Sequence, residues 1–280
     1  SHMGLDDDQF KDFTRDGITV ARDRRANARI LDIASRRLAE QRAGTEYDLH
    51  LSDILSCVRK GQLQVERNKG LKAMGSEPEV DKLDGTRVVY FSLGYSFQNF
   101  LIGSEAEKPQ LHTEVVDGEE VSFWVSPDGA DLWPGAPLNE IKTTTRSPRK
   151  VADRKEGRFV EEVLHTSNPY WFEYMMAAMH VMNVQEYNLS VAWLVGGPTN
   201  VGLETFKVSA TEEKIEQNWE KRVMPGVRLY AQAQATGTLA PFNHPFQIMR
   251  YCGNCKMRGS EPCLTEVREY MLAHPDEASF

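Results

Sequence analysis

Residues 138–144 read LNEIKTT, and SPDG occupies 126–129. Leu138, Ile141 and the threonines have strand composition. A strand turns successive side chains to opposite faces, so Glu140 and Lys142 share one face. EEVSFWV (119–125) is a second strand, and PDGADLWPGAP connects the two. If the strands pair antiparallel, Asp128 at the end of the first meets Glu140 in the second.

Two carboxylates converging on one point need a counter-charge, which a hard cation such as Mg²⁺ or Mn²⁺ supplies. The carbonyl of Ile141 is near enough to add a third oxygen. Lys142 is placed to orient a water or to stabilise charge on a phosphate. That is the chemistry of phosphodiester hydrolysis. The competing reading is a Glu-x-Lys facing solvent on an edge strand, because the tripeptide alone is common.

The segment that follows, TTTRSPRKVADRKEGR, concentrates Arg146, Arg149 and Lys150 with further basic residues. Phosphate contacts would require such a patch, and a solvated loop would also accommodate it. It stands out because the whole chain carries 33 basic against 41 acidic residues, a net charge of −8. A global basic field for nucleic acid is therefore excluded, and any polyanion must bind locally. Apolar runs are short and broken by charge, so no membrane span is expected. Nothing at the start resembles a signal peptide, Ser1-His2-Met3 reads as an expression scar, and a cytoplasmic location is expected.

In a reducing compartment the four cysteines are better ligands than disulfides. Cys252, Cys255 and Cys263 cluster near the C-terminal end, while Cys57 is remote. Cys-x₂-Cys with a third thiol nearby is metal-site spacing, suited to zinc or a [4Fe–4S] cluster. Cys57 is either the fourth ligand or a small buried hydrophobe, and His244 or His274 could complete a zinc knuckle instead.

Along the chain, apolar residues recur at helical spacing from Ile18 to Leu38, predicting an amphipathic helix over the core. A second helix is predicted over 48–68, with Ser52 or Asp53 as N-cap. Residues 75–85 read as a linker and 86–103 as an aromatic-rich helix. Arg158 to His165 is helical or extended. NPYWFEYMMAAMHVMN (168–183) is a helix with Pro169 at its start, and its methionines read as core. LSVAWLV (189–195) and LETFKVSA (203–210) are strands, and a helix over 211–226 ends at Pro225-Gly226. Trp124 is expected to be buried, whereas Trp133 in the connection is the better platform for an unpaired base. The order of elements predicts an α/β domain with helical extensions at both ends.

Taken together, the stretch LSDILSCVRK (51–60), Asp128, Glu140-Ile-Lys142 and Cys252-x₂-Cys255-x₇-Cys263 resembles the RecB-like PD-(D/E)xK nucleases with an iron–sulfur clasp. Within these it looks like the fourth Cas family of CRISPR adaptation systems and its stand-alone phage relatives. The resemblance implies a restriction-endonuclease-like central mixed sheet flanked by helices, with N- and C-terminal helical parts joined by the clasp. It divides the chain into a segment 1–46 and a nuclease domain 47–280. It implies that Asp128 and Glu140 hold Mg²⁺ or Mn²⁺ with the Ile141 carbonyl, and that Lys142 is catalytic. Cys57, Cys252, Cys255 and Cys263 become ligands of a [4Fe–4S] cluster. The implied activity is a DNA exonuclease on single strands or DNA ends, acting in recombination, repair, phage DNA processing or CRISPR adaptation. A homo-oligomer or an adaptation partner would fit the same resemblance. Arg146, Arg149, Lys150, Trp133, Tyr170 and Glu173 are the implied DNA contacts.

The chain departs from that pattern in three places. Gln98 stands where the family has a histidine, and an amide cannot take up a proton. Glu173 and Ala177 replace the glutamine and tyrosine of a helical motif, with Tyr170 or Tyr174 available as compensation. Val125 replaces a glycine. These departures keep open a weakened DNA-end-binding or adaptor protein on the same fold.

Overall fold

A computed structural model describes residues 13–15, 18–21, 23–40, 45–76, 91–96, 98, 99, 103, 108–144, 160–194, 202–241, 255 and 261–273. Strands β1 (Phe13–Arg15) and β2 (Ile18–Val20) pair antiparallel ahead of helix α1 (Arg24–Glu40). The helix expected from Ile18 thus begins later. Ile-Thr-Val at 18–20 is stiff at χ1 and suits a strand. Asp23 then opens the helix by accepting the Ala26 N–H at 2.8 Å. Nor does α1 lay its apolar stripe on the core, since Ile30 and Ile33 are 64% and 51% exposed.

The helix expected over 48–68 is two helices, α2 (Leu51–Ser56) and α3 (Val58–Ala73), after a short β3 (Leu49–His50). Cys57 separates them in an extended conformation, φ −149° and ψ 102°. His50, not Ser52 or Asp53, precedes α2. Asp53 acts from the third helical position, accepting the His50 N–H at 3.0 Å.

Strand β4 (Gln110–Val116) was not among the strands read from sequence. It forms an antiparallel hairpin with β5 (Glu119–Val125), in which Val116 pairs with Glu119. The signal was Asp117-Gly118, both at positive φ (52° and 86°), the two-residue turn that matches the twist of paired strands.

Two three-stranded sheets follow, ordered β3-β5-β4 and β6-β7-β8. The second comprises β6 (Leu138–Thr144), β7 (Glu186–Trp193) and β8 (Gly202–Ser209). Each is mixed: β3 runs parallel to β5 and β6 to β7, while β4 and β8 are antiparallel to their neighbours. Among the described residues the expected central mixed sheet is present as two three-stranded mixed sheets. The antiparallel pairing expected between β5 and β6 is likewise reduced to one bridge, Gly129 with Asn139. Apolar β7 is buried almost throughout and takes β6 as its parallel neighbour instead.

Helices α4 (Val160–Ser167) and α5 (Pro169–Met182) connect β6 to β7. After β8, α6 (Glu212–Asn218) starts at Thr211, whose Oγ1 accepts the Lys214 N–H at 3.2 Å. A π turn, Trp219–Val223, then leads into α7 (Met224–Thr236). The expected stop at Pro225-Gly226 does not occur. Pro225 lies in the first turn of α7, where no intrahelical N–H is required. Gly226 is there for proximity, because a Cβ would fall 2.5 Å from the Ile54 carbonyl oxygen. Helix α8 (Cys263–Ala273) ends the described chain.

The core joins α2, α5, β5, β7 and the π turn through Leu51, Ile54, Phe123, Met175, Leu189 and Val223, all fully buried. Met175 and Met179 are core residues, and Met176 and Met182 pack against them.

Candidate active site

Asp128 is brought to Glu140 by the single bridge between the sheets. Gly129 donates its N–H to the Asn139 carbonyl at 3.0 Å, and Asn139 returns a bond to Gly129 at 2.8 Å. Two residues further along β6, the Ile141 N–H donates to Asp128 Oδ2 at 2.7 Å. A strand residue directs its N–H and C=O to the same side, so the Ile141 carbonyl also faces Asp128. The aspartate is thus fixed by backbone, with its turn held from behind. The Tyr174 hydroxyl donates to the Ser126 carbonyl at 3.1 Å and accepts the Ser126 N–H at 3.3 Å.

Glu140 is only 4% exposed. Its Oε1 accepts from Lys142 Nζ, on the same face as the strand alternation requires. Its Oε2 is buried without a hydrogen-bond partner. Burial pushes the Glu140 carboxyl up to about 7; the charge of Asp128 adds to this, and Lys142 opposes it. Asp128 is raised too, mainly by burial, against the pull of Lys142 and the Ile141 N–H. One ammonium thus serves a buried and a half-buried carboxylate that repel each other, and one oxygen of Glu140 is left over. A divalent cation is the partner this donor set fits.

Gln98 is buried beside this pair, its Nε2 donating to the Asp128 carbonyl at a long 3.5 Å. His112 is engaged elsewhere, hydrogen-bonded to Glu114 at 2.8 Å and edge-on to Trp219. Of the expected DNA contacts, Trp133 is 52% exposed in the connection that carries Asp128. Tyr170 is half-buried on α5, within electrostatic reach of Tyr174. Glu173 forms an ion pair with Arg222 at 2.8 Å, which ties α5 to the π turn. Ala177 is buried in the core. Arg146, Arg149 and Lys150 lie outside the described residues, as do His244 and His274.

Tyr187 was not singled out from sequence. It is fully buried at the start of β7, and its pKa is raised well above the ordinary value by burial and then by the charge of Glu140. No local pattern announces it, since only the pairing of β6 with β7 brings it to the glutamate.

Cys57 falls at the break between α2 and α3 because the chain is extended there. Its thiol is pushed up first by burial; the Lys60 N–H opposes this, and charge on Cys255 and Cys263 adds to it. The three thiols therefore lie within electrostatic reach of one another, and none is in a disulfide. Cys255 and Cys263 pack with Leu63 and Val267, which seats α8 against α3. Thiols are the donors that a thiophilic metal centre takes. Cys252 lies outside the described residues, and among those described no three or more His, Cys, Asp or Glu side chains are assembled to hold a metal ion. No described helix is long and apolar enough to cross a membrane.

No protein-family model matches this chain, and no curated protein matches it. Similar solved structures include a protein designated SSO0001, 14% identical with a TM-score of 0.48, covering 84% of this chain and 96% of its own. An alkaline exonuclease from Laribacter hongkongensis is 13% identical with a TM-score of 0.38, covering 71% and 95% respectively. A phage-related exonuclease from Haemophilus somnus 129PT is 8% identical with a TM-score of 0.36, covering 68% and 96%. At these identities and TM-scores none of the three carries weight for the chemistry of this chain.

Proposed function

We propose that the chain is a metal-dependent DNA nuclease that hydrolyses phosphodiester bonds at single strands or DNA ends. The observation that carries this is half-buried Asp128 set against buried Glu140, whose Oε2 is unpartnered beside Lys142. Asp128, Glu140 and the Ile141 carbonyl would hold Mg²⁺ or Mn²⁺. When bound, the ion supplies Lewis acidity toward a phosphate oxygen. The residues do the rest. Asp128 is kept in place by the Ile141 N–H. Lys142 offers its ammonium to the charge that grows on the phosphate in the transition state. Trp133 and Tyr170 would stack on unpaired bases, and Arg146, Arg149 and Lys150, following β6 in the chain, would meet the phosphates beyond.

Cys57, Cys255 and Cys263, completed by Cys252, would hold a [4Fe–4S] cluster that staples α3 to the C-terminal segment. The influence of Cys255 and Cys263 on the Cys57 thiol supports this assignment. Residues 47–280 would form the nuclease domain, with residues 1–46 appended. Processing of DNA in recombination, in phage replication or in CRISPR adaptation, alone or with a partner or second copy, is compatible with this chemistry.

A second reading is favoured by Gln98. An amide at the Asp128 carbonyl cannot exchange a proton, so the fold could bind DNA ends without turnover. One experiment separates the two. End-labelled single-stranded and duplex DNA are incubated with Mg²⁺ or Mn²⁺, and binding is followed beside cleavage. The parent should degrade DNA, and Glu140→Ala and Lys142→Ala should each lose at least about 100-fold while staying folded. Equal cutting by both variants would remove the assignment, and tight binding without turnover in any divalent metal would favour the second reading.

A further inference from the structure

Glu140 has two carboxylate oxygens, and only one has a partner. Lys142 holds Oε1, whereas Oε2 is buried with none. The Tyr187 hydroxyl, on a side chain with no exposed surface, is also without a completed hydrogen bond. These two groups are neighbours. The parallel register sets Leu138 beside Tyr187 and Glu140 beside Leu189, so Tyr187 and Glu140 lie on one face of the sheet, a diagonal step apart. The hydroxyl is already near enough to act on the carboxylate as a hydrogen-bond donor, short of the distance and angle of a completed bond.

An unmet buried polar group is costly, because its hydration is lost with nothing put in its place. Two of them side by side in the core call for an explanation. Phenylalanine would fill the same space without the unmet hydroxyl. The expense makes sense if the bond is completed in another state of the site.

We propose that Tyr187 is a positioning residue whose hydroxyl donates to one lone pair of Glu140 Oε2, leaving the other for a divalent cation shared with Asp128. This rests on the nuclease reading. The two tyrosines then divide the work. Tyr174 anchors the turn carrying Asp128 through bonds already made to Ser126. Tyr187 orients the second carboxylate through a bond that is incomplete here and is completed when Glu140 turns toward the cation. Outer partners of this kind typically change metal affinity by about 10–100-fold.

The test is Tyr187→Phe in the full chain, with Mn²⁺ titrated calorimetrically into metal-free protein and Glu140→Gln as the background for Mn²⁺ bound elsewhere. The dissociation constant for Mn²⁺ should rise about 10-fold or more. The Mn²⁺ concentration giving half-maximal cleavage should rise by the same factor, with KM for DNA unchanged. The metal-free variant should melt at or above the parent's temperature, because an unmet hydroxyl has been removed. Unchanged Mn²⁺ affinity beside a parent that binds overturns the inference and leaves the nuclease reading intact. A metal-free variant that melts lower or fails to fold also overturns it, since the hydroxyl would then be a folding bond. A parent that takes up no more Mn²⁺ than Glu140→Gln removes both together.

Discussion

Glu140 is an acid that folding makes weaker. Its carboxyl is raised to about 7 by burial and by Asp128, so the folded chain holds a proton that the unfolded chain has released. Where the native state binds more protons, stability falls as pH rises. The loss begins above the ordinary carboxylate range and is complete once the pH exceeds about 7. Metal-free protein should therefore melt higher at pH 5 than at pH 8, once the other groups are accounted for with Glu140→Gln, which should flatten the dependence and raise the melting temperature at pH 8. Differential scanning calorimetry across pH 5–8 reads this, and an unaltered profile in the variant would remove the argument. Mn²⁺ needs the charged carboxylate, so its affinity should increase through the same window. That Glu140 and Lys142 share a face was legible from spacing alone. The strength of their coupling to Asp128 was not, because it depends on burial, which no local pattern reports.

At the scale of elements, the decisive details are breaks and close approaches. The proline start of α5 was read directly and the turn at 117–118 went unread, though φ at each is dictated by one or two residues. The π turn could not be read this way. Pro225-Gly226 looks like a helix stop, yet the chain continues, because what selects glycine there is the Ile54 carbonyl across the packing interface. Gly226→Ala should thus lower stability by about 1–3 kcal/mol, the usual cost of overpacking, and show as a lower melting temperature with activity per folded molecule retained. A stability equal to the parent's would mean that α2 and α7 are not held that closely. The break at Cys57 belongs with these. Helical spacing continues through it, and its extended conformation reflects the need to turn α3 toward the C-terminal segment.

At the scale of the whole molecule, α3 meets the last part of the chain in two ways among the described residues. One is the packing of Cys255, Cys263 and Val267 on Leu63. The other is polar: buried Arg59 donates to the Ala240 carbonyl at 2.6 Å and to Glu266 at 2.7 Å, and Gln62 bonds both Thr238 and Ala240. Arg59→Ala should cost about 1–3 kcal/mol, because it leaves a buried carbonyl unmet. If the thiols hold an iron–sulfur cluster, anaerobically purified protein should be brown and bleach with dithionite, and Cys57→Ser should lose iron and melt lower. Limited proteolysis tells the fastenings apart. After iron is stripped, the C-terminal helix should stay protected in the parent and become cleavable in Arg59→Ala. Protection lost equally in both would show that the thiols alone do the fastening.

What the sequence determined by itself is the chemistry on offer and the elements that bear it. Alternation put Glu140 and Lys142 on one face, composition marked the strands at 119–125, 138–143, 189–195 and 203–210, and spacing grouped the C-terminal cysteines. What only the tertiary structure decided is which of these meet. A bridge of one residue pair, not a hairpin, brings Asp128 to Glu140, a parallel register delivers Tyr187, and burial leaves one carboxylate oxygen without a partner. Periodicity is a property of neighbours along the chain. Proximity between residues far apart in it is set by how apolar faces pack, and the same residue pattern is compatible with many such packings.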